Sequence, residues 1–149
     1  MFVKNKEGIL SENWLYQVRI RLKKEIAEAI RFDHVNEIAE KIVNLAKKNK
    51  TSLVCTLDAF SGYVKEAEKN RVEDYPLYAW TKKTIENKDK IKKHSLAFAF
   101  YYKEEQVYSK KIAEKLYKDL LVLYEVGEIK ELRLIDTNPD NNPQPPPKK

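Results

Sequence analysis

Apolar and polar positions alternate without a break from Gln17 to Leu22, with Val18, Ile20 and Leu22 set against Gln17, Arg19 and Arg21. A period of two is the pattern of a strand with one buried and one polar face. Leu53–Leu57, Leu96–Tyr101 and Leu132–Ile135 repeat the idea, and the four stretches are read as one sheet. The first has a rival: Trp14, Leu15, Val18, Leu22, Ile26, Ala29 and Ile30 also fit a helical stripe that Ser11 would cap. A helix would strand Tyr16 and Ile20 on the wrong face, and the β-branched and aromatic content of 14–22 favours the strand. In the second stretch, Thr51–Leu57, the alternation puts Leu53, Cys55 and Leu57 inward and Thr56 outward. Leu53, Leu57, Phe60, Val64 and Ala67 are also spaced for a helix, so a strand that turns into a short helix after Asp58 accommodates both patterns.

Between the strands the period lengthens. Ile26, Ala29 and Ile30 open a helical region, Asp33 stands where a fresh N-cap would be, and Val35, Ile38, Ala39, Ile42, Leu45 and Ala46 carry the stripe on to Lys47–Lys50. Residues 68–75 are polar and read as a loop. Pro76 suits the first turn of a helix through Leu77, Trp80, Thr84 and Ile85 that fades into Lys88–Lys93. Ser109 reads as the N-cap of a helix with Ile112, Leu116, Leu120 and Leu123 buried, widened by Ala113, Tyr117 and Tyr124, and Gly127 as its stop.

The order is strand, helix, strand, helical insert, strand, helix, strand. With the insert (about residues 59–93) decorating the connection from second to third strand, this resembles a ferredoxin-like β-α-β-β-α-β sandwich, an α+β class. A doubly wound parallel sheet would need strands apolar on both faces, and Arg19, Arg21, Thr56 and Arg133 argue against that. Residues 1–136 form one domain on this reading. From 137 to 149 the composition changes to Pro and Asn, which predicts an extended tail outside the core and dispensable for folding.

A hydrophobic content of 42% with 35% charge excludes a disordered chain. No apolar run approaches the roughly 20 residues of a membrane span, and Met1–Lys6 lacks the apolar stretch of a signal peptide, so a cytoplasmic protein is expected. One cysteine, Cys55, excludes a disulfide framework and a Cys-rich zinc site. The net charge of +6 raises nucleic acid as a partner. Lys and Glu are interleaved along the helices, however, which is the pattern of solvated faces, so nucleic acid is not the favoured partner.

The candidate chemistry lies on the polar sheet face. A split β-α-β fold sets its first and last strands side by side, bringing Arg19 and Arg21 near Arg133, cations that repel unless something relieves them. Ala97 and Ala99 leave room beside them, and Tyr101 adds a ring and a hydroxyl. Base-stacking aromatics of the RNA-recognition kind are missing from the first strand, which presents Arg and Gln instead. Tyr75, Tyr78 and Trp80 are expected to anchor the insert or an interface. Asp33, His34, Asp58, His94 and Asp136 belong to no metal or catalytic spacing, and Cys55 reads as a small apolar strand residue. No catalytic residue, metal or cofactor is expected. The leading expectation is a small binding or assembly protein, a homodimer paired through its polar sheet face. The alternatives are a dimeric α+β barrel that binds or transforms an anionic small molecule, and a nucleic-acid-binding accessory protein.

Overall fold

The computed structural model describes residues 15–137. The polar lead-in expected over residues 1–12, Trp14 and the tail beyond Thr137 lie outside the described residues. The elements are β1 (Tyr16–Arg21), α1 (Lys24–Phe32), α2 (Glu37–Lys48), β2 (Thr51–Cys55), α3 (Thr56–Lys69), a 3-10 turn (Val72–Asp74), α4 (Tyr78–Glu86), α5 (Lys88–Ser95), β3 (Ala97–Tyr102), α6 (Lys110–Glu125) and β4 (Glu131–Asp136). The class is α+β: a four-stranded sheet in the order β2-β3-β1-β4, antiparallel at every pairing. None of the described helices is long and apolar enough to cross a membrane.

One face of the sheet is the core. Val18 and Ile20 of β1, Leu22 just beyond it, and Phe98 and Phe100 of β3 meet Ile26 of α1, Ile42 of α2, and Leu116 and Leu120 of α6. Each is essentially withdrawn from water, and burial of such a side chain contributes about 1.5–3 kcal/mol. Local signals place the helices that cover this face. Asn36 caps α2 by accepting from the Ala39 N–H at 2.9 Å, with Glu37 and Glu40 in the first turn and Lys47 and Lys48 in the last, complementing the helix dipole. Ser109 caps α6 by accepting from the Ile112 N–H. At its other end Gly127, at φ +86°, lets the Glu128 N–H reach the Leu123 carbonyl at 2.9 Å, and Ile129 then turns into the core.

Tyr108 enters the sheet from the loop before α6. Its hydroxyl accepts from the Val18 N–H at 3.3 Å and donates to the Phe100 carbonyl at 2.8 Å. The β1–β3 register runs through Arg21↔Ala97, Ile20↔Phe98 and Arg19↔Ala99. Val18 and Phe100 would be the next pair, so the buried hydroxyl relays the bond that the ladder leaves open there. Burial pushes this phenol up to about 12.

The helical insert occupies the other face. α3, α4 and α5 pack on one another, and α3 reaches β2 and β3. Val64 and Ala67 of α3 with Thr81 and Thr84 of α4 are its buried residues, separate from the main core. Arg31 of α1 ties the start of α3 down through two bonds to Asp58, at 2.8 and 3.1 Å.

Several expectations need correction. The second strand stops at Cys55, and Thr56 and Leu57 are already helical; α3 starts with no intervening loop and runs to Lys69, two residues into the stretch 68–75 read as polar loop. Apolar residues at spacings of three and four from Leu57 onward outweigh the short alternation before it. Asp33 ends α1 in the left-handed conformation (φ 57°) and starts nothing; the cap is Asn36. Pro76 precedes α4, which begins at Tyr78, and Lys88–Ser95 forms a separate helix, started by an Asn87 cap, where the earlier helix was expected to fade. Tyr124 is exposed on α6.

Candidate functional site

The register puts the polar residues of the sheet in rows. Arg19 lies opposite Ala99 on one side and Arg133 on the other, and Val54 of β2 faces Ala99 from beyond. In the adjoining row Arg21 lies between Ala97 and Glu131. Directly opposed residues hold their Cβ atoms about 5 Å apart, so Arg19 and Arg133 are a like-charge pair, while Ala97 and Ala99 leave the sheet hollow beside them.

The insert closes over that hollow and makes two cavities of it. The first, about 410 Å³, is lined by Arg19, Arg21, Arg133 and Glu131 of the sheet with Lys93 and His94 of α5. Among the described residues its four cations face one carboxylate, and His94 holds its proton less readily than usual, first through desolvation and then through Lys93, Lys90 and Arg19. The imidazole is therefore neutral at pH 7. The second cavity, about 360 Å³, lies between Ala99 and Tyr101 on the sheet and Phe60, Tyr63, Leu77 and Trp80 on the insert. Arg19 and Thr56 border both. Both volumes fall in the range of small-molecule sites, about 300–1,000 Å³.

The cations are incompletely answered by the protein. Arg21 reaches Glu131 at 3.4 Å, and its Nε is buried without a hydrogen-bond partner among the described residues. Arg19 donates from Nε to the Gln17 side chain, which in turn donates to the Gln106 carbonyl at 3.2 Å. Desolvation lowers the Arg19 pKa, Tyr101 opposes it, and Arg133 adds a smaller push in the lowering direction. A guanidinium stays charged in a protein, so the shift reports chiefly how far the charge is withdrawn from water, with Arg133 adding to the cost. By area Arg19 is nonetheless exposed, so it is an open-sided charge. Arg133 has no ion pair or side-chain hydrogen bond among the described residues.

Of the residues singled out in the sequence, Arg19, Arg21, Arg133, Ala97, Ala99, Tyr101 and Trp80 come together around these cavities. Tyr75 and Tyr78 do not: their hydroxyls donate to Glu66 at 2.8 Å and Glu68 at 2.6 Å, bracing the insert internally. Asp58 is held by Arg31, Asp136 interacts with Tyr16, and Asp33 and His34 lie at the end of α1, so the acidic residues and histidines do not converge. Among the described residues no group of three or more His, Cys, Asp or Glu is arranged to hold a metal ion. Cys55 is buried, its thiol raised first by desolvation and aimed at the carbonyls of His94 and Ser95.

Phe60 and Tyr63 are site residues that sequence reasoning missed, while Thr56 was placed outward with the arginines and Lys93 belongs to the lysines of 82–93 considered for nucleic acid. Thr56, Phe60 and Tyr63 share a face of α3, at spacings of four and three, and that face was legible once α3 was extended to Lys69. Phe60 meets His94 edge-on at 5.1 Å and Trp80 at 5.6 Å, linking the two cavities by a run of rings. No protein-family model, no curated protein and no solved structure matches this chain.

Proposed function

We propose that this chain binds a small anionic molecule between the polar face of its sheet and the helical insert. One observation carries the reading: Arg19, Arg21 and Arg133 converge with Lys93 on a concave cavity that offers them a single carboxylate among the described residues. An anion there would relieve the Arg19–Arg133 repulsion and supply an acceptor to the orphan Arg21 Nε. We also infer a ferredoxin-like, split β-α-β arrangement. It is supported by the order β2-β3-β1-β4, in which β3 lies between β1 and β2, and β1 between β3 and β4.

Pairing through the same face is less favoured. A two-fold dimer sets a patch against its own copy, which here would oppose uncompensated cations, and α3 already covers part of β2 and β3. Isothermal titration with inorganic phosphate and pyrophosphate at low ionic strength tests the proposal. Saturable one-site binding, weakened about tenfold or more by Arg133→Gln through loss of a charge-assisted contact, is the expected result. Absence of saturation, or equal affinity in the variant, would overturn it. A dimer in light scattering that Arg19→Glu dissolves would restore the pairing reading.

A further inference from the structure

The second cavity says what the anion is attached to. Its walls are Phe60, Tyr63, Trp80 and Tyr101, with Ala99 as floor, and Arg19 is its sole charged lining residue among the described residues. Trp80 and Leu77 remain 46% and 51% exposed at its edge, two apolar side chains of one cavity wall that the described residues leave partly uncovered. An inorganic ion would fill the cationic cavity and leave this one to water. A neutral aromatic would fill this one and leave the arginines unanswered. Arg19 and Thr56, which border both, set the two within reach of a single small molecule.

We propose that the occupant is an aromatic phosphate monoester of nucleotide size, with its phosphate among Arg19, Arg21 and Arg133 and its ring against Trp80 and Tyr101. This rests on the anion-binding reading above and adds the ring to it. A flat ring suits the second cavity better than a flexible alkyl chain because its walls are rings on opposite sides, α4 and β3, which stack at little ordering cost. The polar groups there are few: Thr56, the buried Thr81, Gln106 and the hydroxyls of Tyr101 and Tyr63, the last of which accepts from the Leu77 N–H at 3.1 Å and keeps its own proton to donate. Such a set can read the edge of a heterocycle.

The test uses the full chain carrying Trp14→Phe, so that Trp80 is its sole tryptophan. Inorganic phosphate, n-hexyl phosphate, phenyl phosphate and adenosine 5′-monophosphate are titrated by calorimetry and by Trp80 fluorescence. The aromatic esters should bind about tenfold or more tighter than inorganic phosphate, the scale of one stacking contact, and should change Trp80 emission saturably, which phosphate alone should not. Trp80→Ala should remove that gain while leaving the affinity for inorganic phosphate unchanged. Ala99→Leu, which fills the cavity from the sheet side, should likewise lower the gain of the aromatic esters over inorganic phosphate. Equal affinity for inorganic and phenyl phosphate would overturn the ring and leave anion binding standing. Hexyl phosphate matching phenyl phosphate would replace the ring by a chain. Failure of every probe to bind would overturn both readings.

Discussion

The two faces of one sheet differ in whether the chain satisfies its own side chains. Toward α1, α2 and α6, Val18, Ile20, Phe98 and Phe100 are each within 2% of complete burial. Toward the insert, alternate residues of the same strands present Gln17, Arg19, Arg21, Ala97, Ala99 and Tyr101, and the arginines find one carboxylate in reach. The first face needs nothing from outside. The second carries repulsion, an orphan donor and two hollows, none of which helps the chain fold. Stability and function are thereby separated by the pleat, and substitutions on the two faces should separate them as well.

The largest contrast is expected at Phe100, buried on the core face between β1 and β2. Phe100→Ala removes a large ring from a packed interior and should destabilise by about 3–5 kcal/mol. Urea unfolding would measure it, and a loss below about 1 kcal/mol would mean the core face is far less closely packed than its burial indicates.

Tyr108 comes next, because its hydroxyl stands in for a ladder bond. Tyr108→Phe keeps the ring and strands the Val18 N–H and the Phe100 carbonyl in the interior, a loss of about 1–3 kcal/mol. The same group gives a pH signature. Folded, it releases its proton near 12, against about 10 unfolded. Between those values the unfolded chain holds fewer protons than the native one, so stability is intact below about pH 10 and falls as the pH rises toward 12. Unfolding curves at pH 9 and 11 would show the fall, and Tyr108→Phe should lose that part of it.

The contrast between the faces also explains what the sequence made legible. Val18, Ile20, Phe98 and Phe100 announce themselves because burial on one side imposes a period of two, and Ser109 and Gly127 because capping depends on local residue type. Arg19 near Arg133 followed from the same alternation plus the expected neighbourhood of first and last strands. The insert was harder. α3 starts at Thr56 with no turn residue before it, so strand and helix periods overlap, and of the site residues Thr56, Phe60 and Tyr63 only Phe60 stands in its hydrophobic stripe. Tyr75, Tyr78 and Trp80 look alike in sequence, and only the fold of α4 sends Trp80 to the cavity and the two tyrosines to Glu66 and Glu68.

A smaller effect tests how the insert is held over the polar face. Asp58→Asn removes the charge pairing with Arg31 while keeping the shape and one acceptor oxygen, and since Asp58 is half exposed the loss should be roughly 0.5–1 kcal/mol. Hydrogen exchange would distinguish a local from a global loss: amides of α3 and α4 should exchange faster while those of β1 and β3 are unchanged. Uniform acceleration across the sheet would show that the insert and the core unfold as one unit.

The smallest expected change in stability belongs to the residue on which the proposed function most depends. Arg133 stands opposite Arg19 on β4, exposed and without a protein partner among the described residues. Replacing it by Gln removes a cross-strand like-charge contact and buries nothing, so stability should move by no more than about 0.5 kcal/mol, in the stabilising direction. The gain should shrink with salt, since exposed charges more than about 10 Å apart are screened at 0.1 M and closer ones are weakened. The measurement is a pair of melting curves, Arg133→Gln against the parent, at low and moderate ionic strength. A variant that melts higher at low salt yet no longer binds phosphate would put stability and binding on opposite sides of a single substitution. A variant that melts several degrees lower would mean that Arg133 supports the fold, and the polar face would then differ from the core face in chemistry but not in role.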